Sequence, residues 1–200
     1  EGIERIGSRL AALKLKKGDL AAIVMENPIR HLIVACALMR AGISTVSLSH
    51  TSEKAHAALR PAVYLEEKNE HILPGLRQVQ VTSLWFTDHL EQAPLIANFS
   101  PDEMCRIAFS SGSTGHPKAI VHSAENYEKT STEMGVTIAG GAWERMLCLP
   151  PVTSNWGFKV CLHTLYTGKT LCFAFTPLEA LNVIDVYRVD CLVASTQQVR

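Results

Sequence analysis

The sequence predicts an α/β fold, a layered and mostly parallel β-sheet flanked by helices, and three observations carry that prediction. Helical and strand periodicities alternate from the first residues onward. The strand candidates are short apolar runs of the kind that both faces of a parallel sheet bury. The helix ends are marked by capping residues, prolines and glycines. Two hundred residues with 47% hydrophobic content are enough to enclose a core.

In chain order, Ile3, Ile6, Leu10 and Leu13 recur at helical spacing, and Lys16-Lys17-Gly18 closes that helix. Ala21 to Met25 is a buried strand. Asn27-Pro28 supplies an N-cap and a first-turn proline for a helix through Arg40 that ends at Gly42. That helix is apolar nearly all round, which predicts an interior position. Ser44 to Leu48 reads as strand, Ser52-Glu53 opens a helix to about Leu59, and Ala62 to Leu65 returns to strand. Val79 to Val81 is a further strand and Leu84 to Leu90 a short helix containing the core pair Trp85-Phe86; Gln92 to Asp102, with Pro94 and Pro101, reads as loop. Farther on, Ser123 caps a helix to about Thr137 ended by Gly140-Gly141, and Met146 to Leu149 is strand. A helix spans about Phe158 to Tyr166 and stops at Gly168, and a strand covers Thr170 to Ala174. Thr176-Pro177 caps a helix whose apolar surface comes from Leu178, Leu181, Ile184 and Val186. No repeat, low-complexity segment or long linker interrupts this order.

The stretch richest in chemistry is Phe109-Ser110-Ser111-Gly112-Ser113-Thr114-Gly115-His116-Pro117-Lys118. Gly112 and Gly115 permit backbone angles that let several N–H groups converge on one anion. Ser110, Ser111, Ser113 and Thr114 add hydroxyl donors, and Lys118 adds a compact positive charge. Pro117 restricts its own backbone and that of His116. A Walker loop needs four residues between its glycines and a following Lys-Ser/Thr, whereas two residues separate Gly112 from Gly115 and Ala119 follows Lys118. A nucleophile elbow needs a helix after the serine, yet Ala119-Ile120-Val121-His122 reads as strand. A slack Ser/Gly turn is the third reading, opposed by the apolar residues on both flanks.

Composition narrows the function classes. A formal net charge of zero gives no electrostatic case for nucleic acid or an anionic membrane. The longest apolar run, Leu32 to Met39, falls far short of the roughly 18 residues of a membrane span. Cys36, Cys105, Cys148, Cys161, Cys172 and Cys191 are scattered without Cys-x-x-Cys or metal-ligand spacing, which predicts reduced buried thiols in a cytoplasmic protein and no metal centre of its own. The chain starts at Glu1 with neither methionine nor signal-peptide pattern and reads as cut or trimmed from something longer.

The run Phe109 to Lys118 resembles the phosphate loop of the adenylate-forming (AMP-binding) enzyme superfamily, which includes acyl-CoA synthetases, peptide-synthetase adenylation domains and luciferases. The pattern there is aromatic, Thr/Ser, Ser, Gly, Thr/Ser, Thr, Gly, x, Pro, Lys, Gly. Every position matches except the last, where Ala119 replaces glycine and is expected to tighten the turn. Gly18-Asp19-Leu20-Ala21-Ala22-Ile23 and Leu38-Met39-Arg40-Ala41-Gly42 resemble scaffold motifs of the same family, as does Tyr187 to Ser195. Thr196 to Arg200 resembles the start of the next helix. Pro150 to Phe158 resembles the family's Leu-Pro-x-x-His-x-x-Gly stretch lining the acyl pocket, with Thr153 at the histidine's place and the glycine one position late.

The resemblance implies that residues 1–200 are a partial N-terminal AMP-binding domain, without the rest of the large domain and the small C-terminal domain. It implies an ATP-dependent, AMP-forming acid–thiol ligase in which Ser110, Ser111, Gly112, Ser113, Thr114 and Gly115 hold the β- and γ-phosphates. Lys118 offsets charge as pyrophosphate leaves, and Asn155 and Trp156 contact the carboxylic acid. Mg²⁺ accompanies ATP, with its ligands mostly beyond Arg200, and CoA or a carrier protein accepts the acyl group. The 200 residues alone are expected to be inactive and to self-associate. A non-catalytic nucleotide-binding or interaction module, and a hydrolase using Ser111 or Ser113, are the alternatives of other classes.

Overall fold

Leu20 to Val24 is apolar throughout and forms β1 (Leu20–Val24), the strand around which the first sheet grows. The computed structural model describes residues 2–48, 58–68, 74–87, 96–110, 118–138, 142–196 and 198. The chain forms two compact units, Glu1–Tyr127 and Glu128–Arg200.

In the first unit, α1 (Gly2–Ala12) buries Ile6 and Leu10. Asn27 caps α2 (Pro28–Arg40) by accepting from the backbone N–H groups of Ile29 at 3.0 Å and Arg30 at 3.1 Å, with Pro28 in the first turn. The helix ends at Gly42, whose φ of +70° suits glycine and whose absent side chain would meet the Ala97 carbonyl at 3.0 Å. Next come β2 (Ser44–Ser47), β3 (Val63–Glu66), β4 (Gln78–Gln80), α3 (Leu84–Thr87), β5 (Met104–Ser110) and β6 (Lys118–Ser123). The sheet order is β4-β3-β1-β2-β5-β6, parallel throughout except for the antiparallel pair β5–β6.

Strand alternation divides this sheet into two faces. One gathers Ala22, Val24, Val46, Leu48, Tyr64 and Ile107 into an apolar cluster. Burying a side chain the size of Val46 or Ile107 stabilises by roughly 1.5–3 kcal/mol. The other face carries Thr45, Ser47 and Arg106. Trp85 is buried as expected, and Phe86 packs under the Arg30 guanidinium at 5.4 Å while its carbonyl accepts from Arg5.

In α4 (Ala124–Ile138), the Ser123 hydroxyl accepts from the Asn126 N–H, so the predicted cap is in place. The division between the two units falls within this helix. The second unit contains β7 (Arg145–Cys148), α5 (Asn155–Tyr166), β8 (Thr170–Cys172), α6 (Pro177–Tyr187) and β9 (Cys191–Val193), with an all-parallel sheet ordered β8-β7-β9.

Several expectations change. The helix expected from about Phe158 starts three residues earlier, because the Ser154 hydroxyl accepts from the Gly157 N–H and caps it. The strand after Gly168 stops at Cys172. The apolar surface of α6 faces solvent, with Leu178, Leu181 and Val186 71%, 65% and 70% exposed, and α6 buries Ala180 alone among its described residues. Ala119 does not tighten a turn. It lies in β6 opposite Phe109, where any residue fits and the family's glycine is not required. The predicted helix between Ser52 and Leu59, the end of the helix expected to reach Leu90, and Gly140-Gly141 fall wholly or mainly outside the described residues.

Candidate functional site: the mouth of the β5–β6 hairpin

Met104 to Ser110 is a mostly apolar run with β-forming character, and Lys118 to Ser123 returns beside it as an edge strand. The two pair antiparallel in the register Arg106↔His122, Ile107↔Val121, Ala108↔Ile120, Phe109↔Ala119 and Ser110↔Lys118. Ser110 and Lys118 are therefore the closing pair, facing each other where residues 111–117 connect the strands. Ser110 is half-buried and Lys118 exposed, and Lys118 makes no ion pair among the described residues. Ser111, Gly112, Ser113, Thr114 and Gly115 lie outside the described residues.

This closing pair stands at the carboxyl end of β5, which runs parallel to β2, β1 and β3. Open parallel sheets bind ligands outside the carboxyl ends of their strands. An edge cation and a hydroxyl at that position can receive an oxyanion.

Four residues before Ser110 on β5 lies a group that the sequence reading missed. Arg106 is fully buried, and its guanidinium donates to Thr45 Oγ1 at 3.1 Å and Ser47 Oγ at 2.7 Å. Ser47 Oγ also lies 2.9 Å from His31 Nε2 on α2. Enclosing a cation costs several kcal/mol, offset by charge-assisted hydrogen bonds worth about 1.5–3 kcal/mol each. His31 is held neutral: burial first, and then the Arg106 charge, push its pKa down to about 3. Burial likewise pushes the Cys36 thiol up to about 11. The available signal is an arginine near the start of Cys105-Arg106-Ile107-Ala108-Phe109, a strand run otherwise without charge. At the opposite end of the hairpin from the mouth, an open depression of about 530 Å³ lies between Asp102 and Met104 on one side and Val121, His122 and Asn126 on the other.

The second unit holds the remaining predicted site residues. Asn155 and Trp156 form the first turn of α5, with Trp156 39% exposed and Asn155 half-buried. Gly157 behind them is required by packing, since a Cβ there would stand 2.2 Å from the Pro151 carbonyl oxygen. The Pro150-Pro151 turn thus presses directly on the helix, which accounts for a glycine placed one position later than the motif's usual spacing.

The family described as AMP-binding enzyme matches residues 1–200. The chain belongs to that family. Among curated relatives, this AMP-binding chain is 21% identical over 175 residues to the 2-succinylbenzoate–CoA ligase of Listeria monocytogenes, matching 84% of this chain and 37% of that protein. It therefore spans little more than a third of that relative's length. Two solved structures of the O-succinylbenzoate coenzyme A synthetase of Bacillus subtilis share the fold. The complex with AMP superposes with a TM-score of 0.84 at 19% identity, covering 99% of this chain and 54% of that one. The complex with ATP and magnesium ion gives 0.83 at 18% identity, with 99% and 56% coverage. Together they establish the layered α/β architecture that composition and periodicity predict for this AMP-binding chain.

Proposed function

We propose that these residues are the phosphate-gripping part of an N-terminal AMP-binding domain, within an ATP-dependent acid–thiol ligase. The observation that carries the reading is the Ser110↔Lys118 closing pair at the carboxyl end of β5, on either side of the Ser/Gly-rich connection. In the reaction, a carboxylate oxygen attacks the α-phosphorus of ATP, the α–β bridging bond breaks, and an acyl-adenylate and pyrophosphate result. A thiol of CoA or a carrier protein then displaces AMP to give the thioester. The names of the Listeria and Bacillus relatives, a 2-succinylbenzoate–CoA ligase and an O-succinylbenzoate coenzyme A synthetase, support CoA as the acceptor.

Each group has a task in this scheme. Ser110, Ser111, Ser113 and Thr114 supply hydroxyl donors and Gly112 and Gly115 supply backbone N–H groups to the β- and γ-phosphates. Lys118 stands at the rim, where negative charge builds as pyrophosphate separates. A hydroxyl and an uncommitted cation facing each other across the hairpin mouth fit a polyphosphate. Mg²⁺ would arrive with the nucleotide and neutralise phosphate charge, held mainly by residues beyond Arg200; among the described residues there is no cluster of three His, Cys, Asp or Glu placed to hold a metal. Asn155 and Trp156, on the first turn of a capped helix, are assigned to the carboxylic acid. No helix among the described residues is long and apolar enough to cross a membrane, which fits a cytoplasmic ligase. The exposed apolar residues of α6 fit a piece that self-associates when it stands alone.

The test is pyrophosphate exchange in the protein carrying the remainder of the family's domains. Lys118→Ala should cost ~2–4 kcal/mol of transition-state stabilisation. An exchange rate within twofold of the parent would rule the role out. The 200 residues alone should show no exchange.

A further inference from the structure

Two thiols meet inside the second unit. Cys148 is the last residue of β7 and Cys161 lies in the second turn of α5, and their sulfurs are 3.7 Å apart. Neither sulfur is in a disulfide, and the two residues are 2% and 0% exposed. Between them runs the Pro150-Pro151 turn that presses on Gly157, and Cys148 Sγ also reaches the Pro150 carbonyl oxygen at 3.7 Å. A bond between the two sulfurs would tie the end of β7 to α5 across this turn, next to the helical turn bearing Asn155 and Trp156.

Sheet geometry gives two reasons why Cys148–Cys172, Cys148–Cys191 and Cys172–Cys191 do not compete. Cys172 pairs in register with Leu147, so it projects to the sheet face opposite that of Cys148. Cys191 pairs with Met146 and is offset diagonally from Cys148. Cys172 and Cys191 lie on strands separated by β7, about 10 Å apart at the usual strand spacing and beyond the ~7 Å Cα limit for a disulfide. The third reason for selectivity is contact itself: Cys148 and Cys161 already touch.

We propose that Cys148 and Cys161 form a modification site, a dithiol that closes to an intramolecular disulfide by exchange with a low-molecular-weight disulfide such as oxidised glutathione. One protein thiolate attacks a sulfur of the reagent, giving a mixed disulfide and one glutathione thiolate. The second protein thiolate attacks the protein sulfur of that mixed disulfide, forming the Cys148–Cys161 bond and releasing the second glutathione. The protein gives up two electrons and two protons, and the reagent's disulfide becomes two thiols. Because both sulfurs are buried, the contact between β7 and α5 opens before the first attack. The half-buried Cys172 and Cys191 therefore react earlier and stop as mixed disulfides.

The experiment incubates the folded chain with oxidised glutathione, blocks remaining thiols with N-ethylmaleimide, unfolds without reductant and maps the peptides by mass. The expected product is a peptide pair joined through Cys148 and Cys161, about 2 Da lighter than the two reduced peptides, and reversed by dithiothreitol. It should persist in C172S/C191S and be absent in C161A, where Cys148 ends as a mixed disulfide. Hydrogen exchange across 149–157 should slow in the oxidised form. The proposal is overturned if Cys148 and Cys161 both carry only maleimide once Cys172 and Cys191 are fully glutathionylated and the sample has been warmed to promote opening. A bridge from either residue to a different cysteine would overturn it equally.

Discussion

The two units solve burial in different ways. The first places polar groups in its interior and ties them together: Arg106, Thr45, Ser47 and His31 are all enclosed and linked from β5 through β2 to α2. The second fills its interior chiefly with Met146, Leu147, Phe158, Val160 and Cys161, and satisfies buried Thr164 within its own helix through the Val160 carbonyl. Directional bonds specify one arrangement, whereas packing tolerates several. The specified interior lies along β5, the strand that ends at Ser110. The second unit instead leaves Leu178, Leu181 and Val186 in solvent.

Removing the link is the most severe way to break this contrast. Arg106→Ala empties a buried volume and strips the Thr45 and Ser47 hydroxyls of their donor, and should destabilise the first unit by ~3–5 kcal/mol. Hydrogen exchange read peptide by peptide should show the loss in β2 and β5, with protection of β7 unchanged. A loss under about 1 kcal/mol would mean that the guanidinium is only filling space.

Acid tests the same link without a mutation. The folded pKa of His31, about 3, lies below its ordinary 6.5, so the unfolded chain binds the proton first as pH falls. The stabilisation is complete above pH 6.5 and is lost between there and pH 3, amounting to about 5 kcal/mol for a shift of this size. In His31→Gln, that part of the pH dependence of unfolding should disappear. An unchanged slope between pH 6 and pH 4 would show that other groups carry it.

These two effects lie in the part of the molecule that was least legible beforehand. The alternation of elements could be read because apolar spacing and caps are local: Asn27-Pro28, Gly42, Ser123 and Thr176-Pro177 all mark the boundaries they were expected to mark. The strands on either side of residues 111–117 could be read because Ile107, Ala108 and Phe109 precede that run and Ile120 and Val121 follow it. The buried arginine could not be read in the same way, since its partners lie 59 and 61 residues away and tertiary pairing alone makes its burial tolerable. The start of α5 was misplaced for a different reason. Ser154 caps locally, but Pro150 to Phe158 resembles a pocket-lining stretch, and that resemblance hides an ordinary capping signal.

In the second unit, contact makes the demands, and Gly157→Ala probes the tightest one. A methyl group 2.2 Å from the Pro151 carbonyl oxygen forces the turn or the helix to move. Overpacking of this kind should cost about 1–3 kcal/mol. The change should appear as faster exchange in α5 with the protection of β5 intact, and full retention of stability would show that the turn yields freely.

The mildest change sharpens the contrast at α6, which buries Ala180 alone among its described residues. Its stability cannot rest on an apolar face, since Leu178, Leu181 and Val186 are exposed, so its ends matter more. Thr176 accepts from the Glu179 N–H at 3.1 Å, and the Glu179 carboxylate returns to the Phe175 N–H at 2.8 Å, a reciprocal pair at the first turn. Thr176→Ala removes one half and should cost about 1 kcal/mol, confined to α6 by hydrogen exchange. The same truncation at Asn27 should be felt less by α2, which also holds buried His31, Leu32, Val34 and Leu38 against the sheet. If α6 keeps its protection after losing Thr176 while α2 frays after Asn27→Ala, packing rather than capping holds the exposed helix, and the contrast between the two interiors has been drawn in the wrong place.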